Sequence, residues 1–114
     1  MAAAGLWTTP SDLALFATDL QRAAAGRSNQ VLSPKMAREM LTAQSGRYGL
    51  GVALDGEGKR ARFSHSGANE GFRCHLIAYV ESGQRAVVMT NSDRGGGLAE
   101  EIIRSVAREY AWPD

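Results

Sequence analysis

Gly46-Arg47-Tyr48-Gly49-Leu50-Gly51-Val52-Ala53-Leu54 is the stretch that decides the fold class, because the spacing of large residues changes here. Tyr48, Leu50, Val52 and Leu54 occupy every second position, with Gly49, Gly51 and Ala53 between them, which predicts a strand with one large face and one bare face. Asp55-Gly56-Glu57-Gly58 supplies turn chemistry, and a second short strand is expected through Ala61, Phe63 and His65. Two longer strands follow, Phe72 to Val80 and Arg85 to Thr90, joined by Glu81-Ser82-Gly83-Gln84 as a hairpin turn.

Before this stretch the spacing is helical. Thr9-Pro10-Ser11-Asp12 reads as a helix start, with Thr9 as N-cap and Pro10 at the first position, and Leu13, Phe16, Leu20 and Ala24 then recur at helical spacing up to Gly26. Ser33-Pro34 repeats the signal for a shorter helix through Met36, Met40 and Leu41. Downstream, Gly95-Gly96-Gly97 reads as a flexible break, and Leu98, Ile102, Val106 and Tyr110 mark the apolar face of a last helix. Two helices, about four antiparallel strands and a helix predict an α+β fold with helices flanking the sheet. No repeat, low-complexity tail or linker divides residues 1–114, which read as one domain.

With 44% hydrophobic and 22% charged residues, the composition is that of an ordinary globular domain. Thirteen basic and twelve acidic residues leave a formal charge of +1, so no global field recruits nucleic acid or an anionic membrane. The arginines, Arg60, Arg62 and Arg73 among them, are spread without interleaved aromatics, which argues against nucleic acid as a partner. No segment approaches the ~20 apolar residues of a membrane span, and no signal-peptide pattern opens the chain. The lone Cys74 leaves no internal disulfide and says nothing of redox compartment. Localisation stays open, since targeting information of a longer precursor would lie upstream.

Single residues have plain readings. Cys74 shares a face with Phe72, Leu76, Ala78 and Val80, which predicts a buried, inert thiol. His75 points the other way with Arg73, Ile77 and Tyr79, as a half-exposed structural histidine, and the two neighbours cannot share a metal ion in regular strand geometry. No metal or cofactor is expected. Gly49 and Gly51 are expected to admit a neighbouring helix against the bare face. Asp93 and Arg94 read as loop charges and Glu70 as solvated.

The candidate chemistry lies in His65-Ser66-Gly67, followed by Ala68-Asn69-Glu70-Gly71-Phe72. By spacing alone the tripeptide reads equally as the polar end of a strand, and Asn69 as a turn residue or a substrate contact. Four segments, however, follow one another in a familiar order: Gly5-Leu6-Trp7-Thr8-Thr9-Pro10-Ser11-Asp12-Leu13, Tyr48-Gly49-Leu50-Gly51, His65-Ser66-Gly67 with Gly71-Phe72, and Val87-Val88-Met89-Thr90-Asn91. Together they resemble the C-terminal portion of the serine β-lactamase and penicillin-binding-protein superfamily, of class C type, with its esterase and D-alanyl-D-alanine carboxypeptidase relatives.

The resemblance implies a partial β-lactamase-like fold and serine acyl transfer on a β-lactam, a D-Ala-D-Ala-type peptide or an ester. It assigns His65, Ser66 and Gly67 to the third, K-T-G-type element that frames the substrate, with Asn69 beside them. Histidine in place of lysine weakens anion attraction and makes it pH-dependent, because an ordinary imidazole is only partly charged near neutrality. A glycine at position 67 is expected to let another backbone approach the strand edge.

The other two elements are missing. The residues three positions before Lys35 and Lys59 are Leu32 and Gly56, so S-x-x-K is absent, and Tyr48, Tyr79 and Tyr110 are followed two positions later by Leu50, Glu81 and Trp112, so Y-x-N is absent. No catalytic residue is therefore expected in this chain, and Met1 just ahead of a matched segment suggests a truncation of a longer hydrolase. The expected partner is the missing N-terminal half, or a second copy through the uncovered sheet, with a small-molecule or peptide substrate in the complete enzyme. The alternative is a non-catalytic binding or assembly module that retains this half of the fold.

Overall fold

The computed structural model describes residues 5–113; Met1 to Ala4, where the truncation was expected, and Asp114 lie outside them. Helix α1 spans Pro10–Ala24, and the Thr9 side chain accepts a hydrogen bond from the Asp12 backbone N–H at 3.1 Å, as an N-cap should. Helix α2 spans Pro34–Met40 and is capped in the same way by Ser33, which accepts from the Met36 N–H at 3.2 Å. Strands β1 (Ala53–Asp55), β2 (Arg62–Asn69), β3 (Phe72–Tyr79) and β4 (Arg85–Thr90) follow, and helix α3 spans Gly95–Glu109. The α+β class and the flanking helices are as the sequence predicts.

The four strands form one antiparallel sheet in the order β1-β2-β3-β4. Period-two alternation gives it two faces. One face packs Phe63, Leu76 and Ala78 against Ala17, Leu20 and Ala23 of α1 and Ala37 of α2, and this cluster is the core. Phe63 has no exposed surface, and burying a side chain of that size contributes roughly 1.5–3 kcal/mol. The other face meets α3, which contacts β3 and β4. On that side the Tyr79 hydroxyl donates to the Pro113 carbonyl at 3.0 Å, and the Tyr79 ring meets Trp112 edge-on.

Three expectations are corrected. The strand predicted through Tyr48 and Leu50 is a tight loop, and only Ala53–Asp55 joins the sheet. Its backbone is used locally: the Gly49 N–H donates to the Val52 carbonyl at 2.9 Å and the Leu50 N–H to the Met40 carbonyl at 3.0 Å. A Cβ on Gly49 would collide with that Met40 carbonyl, so the close helix approach expected of Gly49 is real, whereas Gly51 meets nothing and serves a turn at φ 77°.

Secondly, Gly95-Gly96-Gly97 is no flexible break but the first turn of α3. Gly95 is buried, because any side chain there would overlap Thr90 at the end of β4. That contact brings the helix onto the sheet. The face expected to be buried is partly outside: Leu98 and Tyr110 are 54% and 71% exposed, while Ala99 is buried and Ile103, Val106 and Ala107 are half-buried. Thirdly, Cys74 is half-buried rather than enclosed.

The two ends of this glycine run should respond oppositely to alanine. Gly97→Ala meets nothing within 4 Å and should stabilise the protein by up to about 1 kcal/mol through helix propensity. Gly95→Ala should destabilise it by about 1–3 kcal/mol, as overpacking does. Urea unfolding of both variants checks the opposite signs.

Candidate functional site

β1 pairs with β2 only through Asp55 with Arg62, Leu54 with Phe63 and Ala53 with Ser64. β3, by contrast, pairs with β2 along its full length, from Arg62 with Tyr79 to Asn69 with Phe72. Past Ser64, therefore, β2 has a strand on one side and none on the other among the described residues. His65, Ser66, Ala68 and Asn69 are exposed and Gly67 half-buried, so the structure brings all the sequence-derived candidates to this open edge.

Which backbone groups face outward follows from the pairing. The Val80 N–H donates to the Ala61 carbonyl at 2.9 Å, which makes 61 and 80 a hydrogen-bonded pair. Antiparallel ladders alternate, so His65, Gly67 and Asn69 direct their N–H and C=O groups to β3, while Ser66 and Ala68 direct theirs out over the edge. Ala68 is a residue that reading by side chain passes over. Its contribution is a backbone donor and acceptor, visible only once the register is known.

Side chains divide by face. His65, Gly67 and Asn69 share the face of Phe63, beyond the reach of α1, whereas Ser66 points to the side of α3. The imidazole and the hydroxyl therefore straddle the strand and do not form a single cluster. Gly67 faces its partner Cys74, whose Sγ would lie 2.6 Å from a Cβ placed there. The neighbouring thiol occupies that space on the same face, at the end of a side chain that can rotate, and it does not bear on the backbone approach suggested by the sequence. His75 is half-buried on the opposite face from Cys74, as expected, and no cluster of three or more metal-ligating residues is present among the described residues.

The far end of the edge is fastened by residues that sequence reading dismissed. Glu70 and Gly71 form the turn between β2 and β3, with Gly71 at φ 77°. Asp93 accepts from the Gly71 N–H at 2.9 Å and pairs with the Arg73 guanidinium at 3.2 Å. Arg73 also donates to the Asn69 and Phe72 carbonyls, and the Thr90 hydroxyl donates to the Arg73 carbonyl at 3.0 Å. Asp93 is thus a clamp on the hairpin and not a free loop charge.

The near end is fastened by Asp55 and Arg62, which pair across β1 and β2. The Gly56 N–H and then the Arg62 guanidinium hold the Asp55 carboxyl below the usual carboxylate range. Burial alone would lower the Arg62 value, but the Tyr79 hydroxyl and Asp55 outweigh it and the net displacement is upward.

The Beta-lactamase family model matches residues 1–111. A solved structure described as "Crystal structure of SurE" is similar over 89% of this chain, with a TM-score of 0.71 and 22% sequence identity. The chain spans 25% of the length of that protein, so the likeness concerns the fold of one part of it. No curated protein sequence matches the chain.

Asp93→Ala should expose the Gly71 amide to solvent exchange while costing only about 1 kcal/mol of global stability, as befits an exposed pair. Amide exchange read beside urea unfolding checks this: an unchanged Gly71 rate would remove the clamp.

Proposed function

The chain belongs to the Beta-lactamase family, and from that premise we propose that it supplies the substrate-framing edge of a serine hydrolase whose nucleophile lies outside these residues. The observation that carries the reading is the open edge of β2. Ser66 and Ala68 offer unpaired backbone groups to an extended substrate backbone, which is how a peptide adds to a sheet edge. His65 and Asn69 stand on one side of that edge and Ser66 on the other, where they can hydrogen-bond a carboxylate or amide of the bound chain. The substrate class that fits is a compact acyl compound with a peptide-like backbone: a β-lactam, a D-Ala-D-Ala-type peptide or a related ester.

Absence of S-x-x-K and Y-x-N from the sequence supports assigning acyl transfer to a companion segment. That segment would cover apolar side chains left in solvent around the edge, Tyr48, Leu50 and Phe72, which are 64%, 44% and 52% exposed. The runner-up role, a binding module without catalysis, would use the same edge.

The chain alone should neither hydrolyse a chromogenic β-lactam or a short-chain p-nitrophenyl ester nor gain the mass of a penicillin. Saturable turnover lost in His65→Ala, or a stable adduct, would place the nucleophile here and contradict the reading. Supplied with an S-x-x-K-bearing half, the complex should turn over. His65→Ala should then lower kcat/KM by about 10-fold or more, the loss expected for a hydrogen bond to a charged group.

A further inference from the structure

On the opposite face from the His65 side chain, a groove of about 370 Å³ runs between the end of α3 and the β2–β3 pair. Three arginines, Arg62, Arg104 and Arg108, line it together with Tyr79, Trp112 and Pro113, and no acidic side chain lines it among the described residues. The geometry points to a binding groove for a phosphate monoester carried on a flat, apolar body, separate from the acyl-transfer edge.

One cation and the apolar walls are already fixed in place. The Arg62 guanidinium donates to the Tyr79 hydroxyl at 3.3 Å, pairs with Asp55 and lies 5.7 Å from the centre of the Tyr79 ring. Tyr79 is held in turn by the Pro113 carbonyl and by Trp112, whose ring stands at 76° to it with centroids 5.7 Å apart. A wall ordered before binding loses little freedom on binding.

The other two cations are not engaged by the fold. Arg104 and Arg108 are four residues apart on α3, and Glu100 and Glu101, one turn before Arg104, are not paired with it. Neither forms an ion pair among the described residues. Arg108 lies in the last turn, where the helix dipole favours a cation, but that does not account for Arg104. With a net charge of +1 on the whole chain, the concentration of positive charge is local. Arg62 is already paired with Asp55, so two unpaired guanidiniums remain, and their forks match the oxygens of a phosphate dianion in pairs.

Trp112 is a built-in reporter. In a protein carrying Trp7→Phe, and Asp114→Asn because that carboxylate follows Pro113, Trp112 fluorescence should respond saturably to phenyl phosphate and less strongly to inorganic phosphate. Sodium chloride at matched ionic strength should not reproduce the response. Arg104→Gln with Arg108→Gln, both exposed positions, should weaken binding at least about tenfold, with circular dichroism confirming an intact fold. No response, an equal response to sodium chloride, or undiminished binding in the double variant would overturn the proposal. Vesicles containing phosphatidate separate the two sources of the group. Co-sedimentation lost in the double variant assigns a lipid headgroup, and phenyl phosphate binding without co-sedimentation assigns a soluble ester.

Discussion

The in-register pairing of β2 with β3 is the constraint on which the rest depends. Eight consecutive pairs join Arg62–Asn69 to Phe72–Tyr79, and because side chains alternate, a slip of one position would turn Arg62 or Ser64 into the core and expel Phe63. Phe63 has no exposed surface and sits under α1 and α2, so the core itself enforces the register. The same register then determines that Ser66 and Ala68 turn their backbone groups away from β3. Core and candidate site are two readings of one ladder.

What leaves that edge open is the shortness of its neighbour. β1 contributes three residues, because the chain before it is committed to the loop that closes on Met40, where Gly49 admits no side chain. Asp55 and Arg62 fasten the loop end of β1 and β2, the pairing stops at Ala53 with Ser64, and the Asp93 clamp holds the far hairpin. The edge is therefore an interval between two fastened points, and its exposed candidates stand on a rigid strand rather than on a mobile loop.

Much of this was legible in the sequence. Thr9-Pro10 and Ser33-Pro34 announced both N-terminal helices because capping is local chemistry, and the β3–β4 hairpin followed from alternation over long strands. Tyr48 to Val52 deceived because glycines between large residues imitate a strand's period while serving turns and a close helix approach. The glycine run at 95 deceived for a related reason: its meaning is the absence of a Cβ beside Thr90, a long-range contact that composition does not reveal. For the site, His65-Ser66-Gly67 was found by resemblance, whereas Ala68 and Asp93 were missed. One acts through its backbone and the other across 22 residues of sequence, and neither leaves a local pattern.

Amide hydrogen exchange along β2 tests the account most directly. The open edge requires the Ser66 and Ala68 amides to exchange rapidly while those of His65 and Gly67, bonded to β3, are protected, an alternation with a period of two. Equal protection of all four amides would mean that the edge is covered and would contradict the assignment of this strand as the substrate-framing element.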